Sequence, residues 1–409
     1  MAARAVAQRL NADPSDHVGP TVPCPRCGQP ADYAGRHRKT FESVLGPLPL
    51  ERAYYHCPPC QAGFCPRDAA LGLEGTSLSP AVTRMVGAVG AMVSFVEGHE
   101  LLRELAGVEV DPTQVERTAE TLGRAIAADE QRVVAPDPPA APTMYLGVDG
   151  TGIPMRTAEL AGRAGKQPDG SAKTREVKLV TVWTAEGRDP DGIPVRDRGS
   201  VTYSAAIESA ASPNAVETLS AFAQRADREA QRRGFDRAVR RVVLGDGAAW
   251  IWNLADDLFP AARQIVDLFH AKQHLSDVAK AIYGAGTDLA RQWARLRHDE
   301  LDAGHLRALC HALRAHAPTH PDARRCWDYV THHRARMRYP AFRAQGLCVS
   351  SGVVEAGCKV AIGTRLKRTG MHWTVAGADA IIALRCCRLS GRFEDFWERR
   401  STRARAEAA

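Results

Sequence analysis

Residues 144–155 read Met-Tyr-Leu-Gly-Val-Asp149-Gly-Thr-Gly-Ile-Pro-Met, and residues 241–247 read Arg-Val-Val-Leu-Gly-Asp246-Gly. Each is a short apolar run that climbs to a carboxylate and stops at a glycine. A run of that length between turn signals reads as a buried strand, and Asp-Gly as the turn that ends it. Taken singly, either aspartate is an ordinary turn residue. Their shared context, a carboxylate at the end of an apolar strand, makes them a candidate pair.

Working outward, residues 177–187 (VKLVTVWTAEG) and 199–207 (GSVTYSAAI) read as two more strands, the first reached through a Gly, Lys and Arg rich loop over 156–176. A helix is expected from Ser212-Pro213 to about Arg233, another through AAWIWNLADDL, and a last buried strand from Gln264 to His270. Strand, strand, strand, helix, strand, helix, strand is the succession of a ribonuclease H-like α/β domain, in which the first and fourth strands are central neighbours. On that fold Asp149 and Asp246 end adjacent strands on one edge. Two hard carboxylates there suit Mg²⁺ or Mn²⁺, which prefer oxygen ligands and keep several waters.

A third carboxylate is expected, and Ser350-Ser351-Gly352-Val-Val-Glu355-Ala-Gly-Cys-Lys359 offers one. A serine cap places Glu355 in the first turns of a helix, with Lys359 on its face. The bland alternative is a surface glutamate paired with that lysine. Next comes a basic stretch with an aromatic, Gly363-Thr-Arg365-Leu-Lys367-Arg368-Thr-Gly370-Met371-His372-Trp373, suited to phosphodiester backbone.

Upstream, Cys24-Pro-Arg-Cys27 and Cys57-Pro-Pro-Cys60 flank a strand-rich spacer with a Gly-Pro turn. In a chain without an export signal, two Cys-x-x-Cys knuckles read as the four thiolates of a structural Zn²⁺, a zinc ribbon over 21–75, with Cys65 a spare. Residues 1–20 are expected to be disordered. Residues 76–132 are helical by period, and Gly107 followed by Asp111-Pro112 reads as the turn of a helix-turn-helix. That would aim Gln114 and Arg117 at base edges, although helix, turn, helix is equally common in any bundle. A proline-rich linker is expected over 133–143, the first part of the α/β core over 144–276, an all-helical insertion over 277–345, closing helices over 346–395 and a frayed basic tail over 396–409. The insertion's histidines show no tight ligand pattern.

With 409 residues, several folded units are expected. Fifty-four Lys and Arg against 47 Asp and Glu leave +7, compatible with a polyanionic partner but not diagnostic of one. No run of 18 apolar residues and no secretory core are present, so neither membrane nor export is indicated and a cytoplasmic protein is expected.

The ribbon with RAYYHCPPCQAGFCPRDAALGL, then YLGVDGTGIPM, VVLGDGAAWIW, IVDLFHAKQHL and SSGVVEAGCKVAIGTRLKRTGMHWTVAGADAIIALR, together resemble the ISKra-type DDE transposases of bacterial insertion sequences, which are similar to the Mutator-like group. The resemblance spans about residues 20–395, the block from Glu355 to Arg385 being its most specific part. It implies that Asp149, Asp246 and Glu355 match the catalytic triad, and that Asp267 and His270 match an Asp-x-x-His motif supporting the site or the DNA. It also implies double-stranded DNA partners, the element's terminal inverted repeats and target, and a homo-oligomer that pairs DNA ends. The alternatives are a ribonuclease H-like nuclease without strand transfer and a transposase-derived DNA-binding regulator.

Overall fold

The structure is a computed structural model that describes residues 2–132, 140–165, 167, 169–211, 219–350 and 352–408, with side chains through 402. It divides into two compact units, Met1–Asp129 with Gly391–Ala409, and Glu130–Ser390.

The first unit opens with α1 (Ala2–Ala12), where disorder was expected from sequence. The helix is held because the buried Arg67 guanidinium donates to the carbonyls of Leu10 and Asp13 and pairs with Asp16. An antiparallel sheet follows in the order β1 (Thr21–Pro23), β2 (Pro30–Phe41), β3 (Leu48–Cys57), β4 (Ala62–Phe64). Its inner face buries Ala31, Ala53 and Tyr55 among the cysteines, a core too small to be stable by burial alone. Next come α2 (Pro66–Leu71), α3 (Pro80–Met92), α4 (Phe95–Ala106) and α5 (Pro112–Arg132). The break between the two helices expected after Ser79 falls earlier than the periodicity suggests: Val93 ends α3, and Ser94 with Glu97 forms a capping box that starts α4. Val108 and Val110, in the connection between α4 and α5, are buried in the helical core.

The second unit is a mixed α+β domain. Its strands are β5 (Thr143–Pro154), β6 (Thr174–Thr184), the small ribbon β7 (Gly187–Arg188) and β8 (Pro194–Val195), β9 (Thr202–Ala206), then, after α6 (Ala221–Arg233), β10 (Arg240–Gly245), and, after α7 (Ala249–Leu258), β11 (Arg263–Val266). The large sheet runs β11-β10-β5-β6-β9. β5, β6 and β9 form an antiparallel meander, while β10 and β11 lie parallel to β5. Most of β5 is buried, which explains its unbroken apolar run. The expected helix start at Ser212 and most of the proline-rich linker lie outside the described residues; α6 is described from its cap, Ser220, onward.

The last sheet strand is shorter than the sequence suggests. It ends at Val266, and Asp267 caps α8 (Leu268–Tyr283), so His270 is helical. Helices α9 (Asp288–Asp302), α10 (Leu306–His316), α11 (Pro321–His333) and α12 (Tyr339–Ala344) complete a helical stretch that begins at Leu268 rather than 277. Then come α13 (Gly352–Gly357), a π-helical turn (Cys358–Gly363), α14 (Thr364–Leu366) and α15 (Val375–Leu389). The chain finally returns to the first unit as α16 (Phe393–Ala408), where a frayed tail was expected. Phe393 and Phe396 are buried, and Arg399 pairs with the buried Asp129 at 2.8 Å.

Candidate metal and carboxylate sites

The two Cys-x-x-Cys segments fold as matching tight turns. Gly28 closes the first at φ +71°, its N–H donating to the Cys24 carbonyl at 2.9 Å; Gln61 closes the second at φ +49°, an unusual conformation for a residue with a Cβ. These turns bring the four sulfurs within 4.8 Å of one another, with Cys24 Sγ 3.9 Å from Cys60 Sγ and Cys27 Sγ 3.6 Å from Cys57 Sγ. A tetrahedron with Zn–S of about 2.3 Å has edges of about 3.8 Å, so the thiols fit Zn²⁺. Backbone N–H groups of Arg26 and Cys27 hold the Cys24 thiol down at about 6. Cys65 stands apart, buried at the start of α2.

In the second unit, the last registered β5–β10 pair is Gly147 with Leu244; two residues further along each chain come Asp149 and Asp246. Asp149 still belongs to β5, opposite Leu179 of β6, whereas Asp246 starts the turn after β10. Burial raises the Asp149 carboxyl above its ordinary range, and the Asp246 charge adds to that. Hydrogen bonds from the Cys358 thiol and the Gly150 N–H, the latter at 2.7 Å, and the nearby His270 oppose it.

Asp246 is fixed from its own turn and from α11. Its Oδ1 accepts from the Ala248 N–H at 2.8 Å, and its carbonyl accepts from Tyr329 Oη at 2.8 Å. The Tyr329 ring lies so close over Gly247, at φ +106°, that a Cβ there would come within 2.4 Å of it. Tyr329 packs on His274 and His333, with ring centroids 4.6 and 5.0 Å apart, and the Nε2 atoms of His274 and His270 are 3.1 Å apart. Asp267, by contrast, is a joint in the backbone: its N–H donates to the Gly245 carbonyl at 2.8 Å and its carboxylate caps α8 through the His270 N–H at 2.6 Å.

Glu355 lies on α13, its side chain 68% exposed and bonded to Lys359 Nζ at 2.9 Å. The helix is nonetheless seated on the carboxylate strand. Val354 is buried against Gly147 and Cys358 bonds Asp149. Among the described residues, the four cysteines form the one group of three or more Cys, His, Asp or Glu whose ligand atoms gather within metal-binding reach, so the three carboxylates are not drawn to a common point.

The residues expected to face DNA differ in exposure. Arg365 is fully buried, its guanidinium 5.3 Å from the Trp373 ring and donating to Met371 Sδ, so it holds the basic segment together rather than meeting phosphate. Gln114 donates to Ser77 Oγ at 2.8 Å and is half-buried. Arg117 is exposed and lines a cavity of about 770 Å³ with Lys39 and Arg400. Lys367 is exposed with its ammonium on Thr151 Oγ1, and Arg368 is half-buried. Tyr329, His274, His333 and Cys358 were not singled out from sequence, although His270/His274 and Tyr329/His333 are i,i+4 pairs that share a helix face.

No protein-family model matches the sequence, and no curated protein matches it. Among solved structures, the chain is similar to the Drosophila P element transposase strand transfer complex at 11% identity, over 83% of this chain and 82% of that one, with a TM-score of 0.26. A likeness that slight carries no argument. No helix among the described residues is long and apolar enough to cross a membrane.

Proposed function

We propose that this chain is a DNA transposase of the DDE type, with Asp149, Asp246 and Glu355 as its catalytic carboxylates on a ribonuclease H-like domain. The observation that carries the reading is the approach of Asp149 and Asp246 at the ends of two adjacent parallel strands, with the burial and mutual charge that raise Asp149. The sheet order, a meander of three strands with two parallel strands added beside its first, supports the fold named here. The sequence resemblance supports the chemistry.

Two crowded carboxylates are the donor set a hard divalent cation takes, and Mg²⁺ or Mn²⁺ held by Asp149 and Asp246 would lower the pKa of a bound water and offset charge developing at phosphorus. The chain's own part is positioning. Gly150 N–H and Cys358 orient Asp149, Tyr329 and Ala248 orient Asp246, and Lys359 pairs with Glu355 on α13, whose Val354 packs on Gly147 of the Asp149 strand. Lys367 and Arg368 would meet the backbone, the zinc ribbon and α3–α5 the terminal inverted repeats, with Arg117 available on α5. Pairing two ends calls for a homo-oligomer.

A plasmid-to-plasmid transposition assay, with the gene's own flanking DNA as ends, tests this. Joining by wild type and its loss in Asp149→Ala and Glu355→Ala, with DNA binding retained, is the expected result. Cleavage that ignores the ends and never joins would replace the transposase with a nuclease; wild-type activity in Asp149→Ala would remove the site.

A further inference from the structure

The ends of the sheet differ in charge. Asp149 and Asp246 lie where β5 and β10 finish; where β10 and β11 start, Arg240, Arg241 and Arg263 meet Arg336, from the segment after α11, around a hollow of about 650 Å³. Strand alternation puts Arg240 and Arg263 on one face and Arg241 with Gln264 on the other, so the four approach the sheet's end from both sides.

No Asp or Glu lines this hollow, and among the described residues none of the four guanidiniums is in an ion pair. Elsewhere in the unit Arg225 pairs with Glu208, Arg232 with Glu229 and Arg343 with Asp302, whereas Arg188 also bonds backbone carbonyls; what sets the hollow apart is that four such guanidiniums line it together. Here three arginines are held by neutral acceptors: Arg240 by the Gln345 carbonyl at 2.7 Å, Arg241 by the Asp236 carbonyl at 3.2 Å, and Arg336 by Gln264 Oε1 at 2.6 Å while stacked 4.7 Å over Trp252. Neutral acceptors aim the guanidinium forks without cancelling their charge.

We infer that this arginine bay binds consecutive phosphates of a nucleic-acid backbone. Planar guanidiniums match phosphate oxygens bidentately, and several at once suit a run of phosphates better than one anion. Arg240 and Arg263 are exposed, so the bay is open to a polymer passing across it. It lies about six residues, or roughly 20 Å at ~3.3 Å per residue, from the carboxylate ends. The bay therefore serves a segment of DNA other than the one undergoing reaction, an inference that rests on the DNA-handling function proposed above.

The test is fluorescence anisotropy of the full chain with a random-sequence 20-base-pair duplex across a salt series, with inorganic tripolyphosphate as competitor. Arg241→Gln/Arg263→Gln should weaken duplex binding about tenfold near 0.1 M salt and flatten the log–log salt slope by about 2, since each phosphate contact contributes ~0.9. Arg241→Lys/Arg263→Lys should keep most of the slope. Arg263 makes no side-chain bond among the described residues, so Arg263→Gln alone isolates charge from folding and should remove about 1 from the slope. Wild-type binding with an unchanged slope in the Gln variants overturns the bay alone. Loss of tripolyphosphate binding in those variants with duplex binding intact makes the site one for a small polyanion and overturns it too. No duplex binding by wild type sinks the DNA reading and the bay with it.

Discussion

Gly147 sits two residues before Asp149, in the middle of a buried strand where a glycine forgoes packing. A Cβ added there would lie 2.0 Å from Val354 Cγ2 and 2.9 Å from Trp183 Cζ3. Ordinary carbon contacts are about 3.5–4 Å, so Gly147→Ala demands a displacement of roughly 1.5–2 Å. Val354 is buried and β-branched on a helix, with one favoured rotamer, so it cannot swing aside. The helix itself must move, and Glu355 is the next residue. Overpacking of this kind costs about 1–3 kcal/mol. A shift of ~1 Å in a catalytic group costs about a hundredfold in rate, so activity should fall by that factor or more while the chain stays folded.

The assay is metal-dependent joining of labelled element ends, read beside the melting temperature. Gly90→Ala is a matched control, since its Cβ would meet Ala119 Cβ at 2.7 Å in the other unit, and it should lower stability without a comparable loss of joining. Val354→Ala removes the obstructing methyl. Alone it should cost about 2 kcal/mol, but in Gly147→Ala/Val354→Ala the two volumes compensate, and the double variant should recover most of the joining that Gly147→Ala loses. Full joining by Gly147→Ala would refute the placement of Glu355 in the reaction; a double variant as inactive as Gly147→Ala would refute displacement of α13 as the cause.

The zinc site should be essential to the ribbon alone: Cys57→Ser should lose one zinc by metal analysis and amide protection across β1–β4, while β5 and β10 exchange as before, because structural zinc contributes ~10–16 kcal/mol where the core is only a few side chains. His333 should make stability depend on pH. Burial first, then His332 and Arg336, push it from its ordinary 6.5 to about 4, so the unfolded chain binds the extra proton between those values. This contribution is full above pH 6.5 and falls as pH drops towards 4 by up to about 3 kcal/mol; His333→Gln should show a shallower slope, the remainder including His274, which burial and His270 also push down, and an equal slope in the variant would assign the dependence elsewhere. Tyr329→Phe keeps the ring over Gly247 but loses the hydroxyl's bond to the Asp246 carbonyl. It should cost about 1 kcal/mol in stability and raise the Mg²⁺ needed for half-maximal joining several-fold with duplex affinity unchanged.

What was legible in the sequence was whatever a single period or spacing encodes. The strands around Asp149 and Asp246 announce themselves as apolar runs, and their side-by-side pairing follows from the order of elements. The cysteine knuckles are local, so four positions suffice to place four sulfurs within reach of one ion. Charge in a sequence does not state which side of a loop faces inward: Arg365, in the basic stretch, is buried beside the Trp373 ring and Met371. His270 was placed in a strand because Asp267 continues an apolar run, whereas its carboxylate is a helix cap. The arginine bay was invisible for a further reason: Arg240, Arg241, Arg263 and Arg336 come from three separate segments, and only the sheet's parallel pairing brings them to one end.

The carboxylate end of β5 and β10 is also where the fold departs from the arrangement that would stabilise it best. Gly147, Gly150 and Gly152 interrupt one strand, Gly147 against Val354 and Trp183, the other two against Glu176 and Thr174. Gly247 holds a left-handed turn beneath Tyr329, α13 runs into a π-helical turn after Glu355, and burial penalises the charge on Asp149. None of these features deepens the core; an alternating strand, a regular helix and an apolar residue at 149 would all be more stable. π-turns and buried charges are tolerated where position matters more than stability, and departures from local rules that cluster at one point are the physical signature of a working site. Where β10 and β11 start, Arg240, Arg241 and Arg263 gather with Arg336 instead, and no residue there takes a left-handed backbone.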